Sequence, residues 1–219
     1  MLLIPLTASY NNIEEEDMNS HYELSLYLQE RGTLSSPLLI ESFNTVDRKD
    51  FVPSSFQDQA YGDYPLAIGE GQTISQPYTV AFMLELLELR EGDEVMDIGC
   101  GSGWTTALLA HAVKSGTGTA LERIPRLLTL AKNNLSSYSF ANIRLKPAGV
   151  TLGLPGETFD KILVSAAAEE LPFELLQQLR PGGIMVIPIQ NEIAVIYKHE
   201  GDRFEQRDFY GFSFVPLIY

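Results

Sequence analysis

The stretch Val95-Met96-Asp97-Ile98-Gly99-Cys100-Gly101-Ser102-Gly103 carries the clearest chemical signal in this chain. An apolar run containing an acid passes directly into glycines at alternate positions, and a helical pattern follows from Trp104. A strand, a glycine-rich turn and a helix in that order face the ligand crevice of a doubly wound sheet, because ligands bind beyond the carboxyl ends of its strands. The glycines admit positive φ and let the backbone approach a ligand closely. A dinucleotide fingerprint is excluded: read from Gly99, the third glycine of G-x-G-x-x-G falls on Trp104, and a frame starting at Gly101 also fails. A P-loop is excluded as well, since no Gly-Lys-Ser/Thr follows. Glu122 closes the next apolar run, Thr119-Ala120-Leu121-Glu122, about two dozen residues beyond Asp97, where related folds carry the acid that holds ribose hydroxyls. No metal site is expected, since His21, His111 and His199 lie far apart and Cys100, the single cysteine, sits inside the turn.

These residues need elements to hold them. Helices are expected at about Met18–Glu30 and Ser36–Val46, the first led in by the acidic run Glu14–Asp17 and the second capped by Ser35 or Ser36 with Pro37 just inside. Residues 50–78 are rich in Pro, Gly, Tyr and Gln and show no helical period. A long irregular segment inside a compact domain is usually functional. A helix follows over Thr79–Leu89. Strands and helices then alternate: strand Glu94–Ile98, helix Trp104–Val113, strand Thr117–Leu121, helix Pro125–Leu135, strands Ile143–Lys146 and Lys161–Val164, helix Pro172–Leu179, strand Ile184–Ile189. The segments Ile193–His199 and Phe204–Leu217 form a hairpin turning at Glu200-Gly201-Asp202. Such alternation implies an α/β fold, mostly parallel, with the hairpin adding antiparallel strands at one edge.

The G-x-G-x-G spacing after an acidic strand resembles the first motif of class I S-adenosylmethionine-dependent methyltransferases. That resemblance implies a Rossmann-like sheet and S-adenosyl-L-methionine as cofactor, its methionine end lying against the turn and its ribose held by Glu122. Other segments narrow the likeness. Phe51-Val52-Pro53, Tyr61-Gly62-Asp63-Tyr64-Pro65-Leu66, Gly71-Gln72-Thr73-Ile74-Ser75-Gln76-Pro77, Glu122-Arg123-Ile124-Pro125, Ala166-Ala167-Ala168, Leu179-Arg180-Pro181-Gly182-Gly183 and Phe214-Val215-Pro216-Leu217 resemble, in order, the signature of the protein-L-isoaspartate (D-aspartate) O-methyltransferases. The resemblance implies methyl transfer to the free α-carboxylate of L-isoaspartyl residues in damaged proteins or peptides, a repair reaction. It places Ser75 beside the transferring methyl as the catalytic hydroxyl. It sets the cofactor against Thr73, Ile74 and Ser75, the strand and turn residues Asp97, Gly99, Gly101, Ser102 and Gly103, the pair Glu122 and Arg123, and the segment at Gly149. The terminal Val215-Pro216-Leu217 is expected near the substrate or as core filler.

The chain departs from that pattern in two places. Where the family usually has Gly-Asp-Gly after the third strand, this chain has Ala148-Gly149-Val150, so a carboxylate expected at the adenine end is replaced by Gly149. The segment after Ile189 is also short, and Gln190-Asn191 runs almost directly into Ile193. Two rival readings therefore stand beside repair: a class I methyltransferase with another acceptor, and a non-catalytic paralogue.

Composition bounds the rest. The chain has 219 residues, 45% of them hydrophobic, and a formal net charge of −14, enough apolar material for one substantial core. A single methyltransferase domain over residues 1–219 is expected, with helices and active-site loop in 1–78 and the cofactor-binding core in 79–219. The acidic balance argues against a nucleic-acid partner, and no apolar stretch approaches the roughly 20 residues that span a bilayer. The opening Met1–Leu6 is too short for a signal peptide, and one cysteine suits a reducing cytoplasm.

Overall fold

The computed structural model describes residues 18–201 and 203–219. The acidic run Glu14–Asp17 and Asp202 of the expected turn lie outside these residues.

Helix α1 spans His21–Glu30 rather than beginning at Met18. Ser20 is its cap: the hydroxyl accepts the Glu23 N–H at 3.2 Å, and the Glu23 carboxylate accepts the Asn19 N–H in return. Helix α2 spans Pro37–Thr45, with proline in its first turn as expected, but Ser36 makes no side-chain cap. The Glu85 carboxylate does that work, accepting the N–H groups of Ser35 and Ser36 at 2.7 and 2.8 Å. A carboxylate at a helix start also meets the positive end of the helix dipole.

The irregular segment contains more order than its sequence suggests. Short 3₁₀ turns occupy Arg48–Phe51 and Ser54–Gln59. A hairpin follows, β1 (Leu66–Gly69) against β2 (Gln72–Ile74). Its tip, Glu70 and Gly71, has φ of 53° and 71°, the backbone that suits tight hairpins. Helix α3 runs Pro77–Leu86, earlier at both ends than expected.

Beyond α3 the chain builds a seven-stranded sheet from β3 (Glu94–Ile98), β4 (Thr117–Glu122), β5 (Ile143–Pro147), β6 (Phe159–Val164), β7 (Leu179–Ile189), β8 (Glu192–Lys198) and β9 (Phe204–Tyr210), in the order β5-β4-β3-β6-β7-β8-β9. The strands β3 to β7 pair in parallel, and β8 and β9 are antiparallel. Helices α4 (Trp104–Val113), α5 (Pro125–Leu135) and α6 (Phe173–Gln178) connect them. The last strand ends at Tyr210 instead of continuing to Leu217. Gly211 turns the chain with φ of 97°, and the tail runs beside Ala167 instead, whose N–H donates to Val215 O while Leu217 N–H donates to Ala167 O, both at 2.8 Å.

The alternation of apolar strands buries residues on both faces. One core cluster joins α1 to α4 with residues such as Leu28, Phe43, Leu84 and Leu108, a second packs Met96, Phe159, Ile162 and Leu175, and a small third joins Cys100, Ala120 and Ala131. Strand order reverses between β3, which leads outward to β4 and β5, and β6 on its other side. That switch point opens a crevice beyond the ends of β3 and β6. Among the described residues no helix is long and apolar enough to cross a membrane.

Candidate active site

Beyond the switch point lies a cleft that is partly open to solvent, the place where ligands bind in sheets of this kind. Gly99, Gly101, Glu122 and Arg123 line it, with Thr73 from β2 and Ala148, Thr151 and Gly153 from the loop after β5. Tail residues Val215–Tyr219 close one side.

Glu122 is 5% exposed and held from both sides. The Gly101 N–H donates to Oε2 at 3.0 Å, and the Ile124 N–H donates to Oε1 at 2.8 Å. Each carboxylate oxygen has capacity for about two hydrogen bonds, so each keeps an acceptor position. A rigid carboxylate with a free position on each oxygen suits a vicinal diol, which fits the ribose of an adenosyl group. The lining also carries the apolar side chains of Ile124, Leu127 and Leu152, as a purine requires.

The turn splits into two kinds of residue. Gly99 and Gly101 reach the cavity, whereas Asp97 and Gly103 line none of the cavities described here. Gly103 has φ of 96°, and a Cβ there would sit 3.3 Å from Ala131 Cβ and Leu135 Cγ, so it lets α4 start tightly against α5. Asp97 is buried behind the turn and accepts the Thr105 and Thr106 hydroxyls on Oδ2 at 2.9 and 2.6 Å, while Oδ1 has no partner among the described residues. Burial lifts its pKa to about 6 against those two hydrogen bonds, with the Glu122 charge adding to the rise. In this arrangement Asp97 pins the first turn of α4 to the end of β3. The neighbouring Cys100 thiol is pushed well up, first by burial and then by Asp97 and Glu122, which leaves it a protonated filler.

A second, larger cleft adjoins the first. Ser75, Gln76, Tyr78 and Thr79 form one side, and the tail Tyr210–Val215 forms the other. Among the described residues its lining contains no charged side chain. A narrow cavity with Ile74, Ser75, Gly99, Gly101 and Ser102 joins the two. Thus the glycine turn and Ser75 meet in the joining cavity, while Glu122 lines the first cleft only. Pro216 and Leu217 also face the first cleft, and Val215 lines both. Gly149 is exposed and lines none of them, although its neighbours Ala148 and Thr151 do.

The buried guanidinium of Arg48 gave no signal in the sequence. It lies wholly inside the protein and donates to the carbonyls of Ala60, Gly62, Tyr64 and Ser75, at 2.7, 3.2, 3.0 and 3.1 Å. Its Cζ lies 5.4 Å from the Trp104 ring centroid. Burial lowers its pKa to about 10, with Asp63 opposing, so it stays charged at neutral pH. One cation therefore ties the 60–64 loop to the residue that projects the Ser75 hydroxyl. Ser165, which follows β6 and lines all three cavities, gave no signal either, because a serine after an apolar strand has no distinguishing pattern.

The sheet order, the glycine turn and the acid at the end of β4 define a class I S-adenosylmethionine-dependent methyltransferase. The structure superposes with a TM-score of 0.81 on a putative protein-L-isoaspartate O-methyltransferase from Plasmodium falciparum in complex with S-adenosyl-L-homocysteine, at 25% identity over 92% of this chain and 99% of that one. In sequence, the chain is 41% identical to the protein-L-isoaspartate O-methyltransferase of Methanopyrus kandleri, covering 87% of this chain and 88% of the relative. It is 42% identical to that of Aliivibrio salmonicida, covering 92% and 97%. The family model for protein-L-isoaspartate(D-aspartate) O-methyltransferase matches residues 19–219. This chain belongs to that family.

Proposed function

We propose that this chain transfers a methyl group from S-adenosyl-L-methionine to the free α-carboxylate of L-isoaspartyl residues in damaged proteins or peptides, acting in the cytoplasm on polypeptides rather than on nucleic acid or membranes. The observation that carries this reading is the joining cavity, where the glycine turn of the cofactor cleft meets Ser75 of an acceptor cleft lined without charge.

When bound, S-adenosylmethionine supplies a methyl group already activated by its sulfonium. A carboxylate is already nucleophilic at neutral pH, so the protein needs no strong base. Its work is to align an oxygen with the methyl and to exclude water. Glu122 orients the nucleoside through its two fixed oxygens, and Gly99 and Gly101 allow close approach to the methionine end. Ser75 donates from its hydroxyl to the acceptor carboxylate. A charge-free lining is consistent with this reaction, because opposite charges on acceptor and donor cancel as the ester forms. A fixed lysine or arginine there would stabilise the ionised acceptor more than the transition state.

The deciding experiment incubates the protein with labelled S-adenosylmethionine and paired peptides carrying isoaspartate or aspartate at one site. Base-labile label in the isoaspartyl peptide alone is expected. Label in neither peptide, despite cofactor binding by calorimetry, points to another acceptor, and absence of cofactor binding points to a non-catalytic paralogue.

A further inference from the structure

Ser165 sits where all the open space of the site converges. Together with Thr73 it lines the cofactor cleft, the acceptor cleft and the cavity between them, which no other described residue does. Its backbone is fixed, since its N–H donates to Ile98 O at 2.9 Å and so continues the β3–β6 pairing one residue past Val164. Its Cβ lies 4.0 Å from where a side chain on Gly99 would begin, so it stands directly over the first glycine of the turn. Its hydroxyl has no hydrogen-bond partner among the described residues and is not sealed from solvent.

A carboxylate in a cleft without cations must be held by neutral donors. It has two oxygens, and a donor on the attacking one ties up a lone pair, so orientation is best achieved through the other. Ser75 approaches from the β2 side of the joining cavity and Ser165 from the end of β6.

We propose that Ser165 is a second substrate-orienting hydroxyl, donating to the non-attacking oxygen of the acceptor carboxylate beside the Ser75 donor, which lines the acceptor cleft and the joining cavity with it. The assignment rests on the methyl-transfer reading above. In the step it serves, the free carboxylate oxygen forms a bond to the methyl carbon as the carbon–sulfur bond breaks. The electron pair stays on sulfur, and no proton moves.

The test compares wild type with Ser165→Ala and Ser165→Thr, measuring kcat and KM for an isoaspartyl peptide and S-adenosylhomocysteine affinity by calorimetry. Removing one such donor should lower kcat about tenfold, with S-adenosylhomocysteine affinity within about twofold, which also shows that the variant is folded. The threonine, which keeps the hydroxyl, should recover most of the rate. Wild-type kcat in Ser165→Ala overturns the assignment, as does a loss confined to S-adenosylhomocysteine affinity or one that threonine does not restore. A wild-type chain that leaves the isoaspartyl peptide unmethylated overturns the acceptor reading itself and this assignment with it, whereas an active wild type beside an unimpaired alanine variant overturns this assignment alone.

Discussion

Ser75 is anchored through its carbonyl and free at its side chain. Arg48 holds the carbonyl at 3.1 Å, and the hydroxyl has no partner among the described residues. A donor fixed in place at no cost to its own bonding suits a reaction made mostly of positioning. Ser75→Ala should lower kcat for the isoaspartyl peptide by about tenfold to a hundredfold, while S-adenosylhomocysteine affinity by calorimetry stays near wild type. Gly149 poses the opposite question, a group missing rather than present. An added Cβ there meets nothing closer than Thr151 N at 3.9 Å, and the backbone needs no positive φ. Gly149→Asp should therefore be tolerated, and a carboxylate near the cleft should tighten S-adenosylhomocysteine binding about tenfold. An unchanged dissociation constant would mean that a side chain at position 149, which lines none of the cavities, does not reach the cofactor.

At the scale of elements, the acceptor side depends on a loop that Arg48 holds together. The 60–64 loop and β2 have few ladder hydrogen bonds of their own, because the β1–β2 pair is short and bulged between Ala67 and Gly69. The planar guanidinium spans four carbonyls, whereas a lysine ammonium has only three donors at a single point. Arg48→Lys should destabilise the fold by about 3 kcal/mol, since buried carbonyls lose their partners; urea unfolding measures this. In the surviving folded protein, peptide turnover should fall more than S-adenosylhomocysteine affinity, because most of the cofactor cleft comes from the ends of β3 and β4, the loop after β5 and the tail, which Arg48 does not hold. The expected elements were legible where pattern and punctuation agreed. Strand Glu94–Ile98 and helices Trp104–Val113 and Pro125–Leu135 stand as expected. The hairpin in residues 66–74 was not visible, since strands of four and three residues are too short to show a period.

For the whole molecule, pH dependence exposes the strain of burying Asp97. Its pKa rises from 3.8 to about 6 in the folded state, so the folded chain binds this proton more tightly than the unfolded chain. Between about pH 4 and 6 the folded state holds more protons, and stability from this group falls as pH rises through that window. Above pH 6 the penalty is complete, on the order of 3 kcal/mol. Asp97→Asn carries no such penalty, so its stability relative to wild type should decline by about that amount as pH is lowered from 7 to 4. Denaturant unfolding of both proteins across this range checks it, and a constant difference would mean that Asp97 is not lifted. The difference between the two chains matters because the net charge of −14 makes every other carboxylate contribute to both.

The sequence by itself determined the alternating fold, the glycine turn and the acid that closes β4, because local periodicity and steric permission are written in consecutive residues. It also pointed to Ser75 through an ordered set of motifs resembling a family. Only the tertiary structure decided which turn residues line the cavities and which brace the helix, separating Gly99 and Gly101 from Asp97 and Gly103. It alone put Arg48 under Ser75, Ser165 over Gly99 and the tail against Ala167. These are contacts between residues far apart in the chain, and their geometry follows from the strand order and the turn at Gly211, which no local pattern encodes.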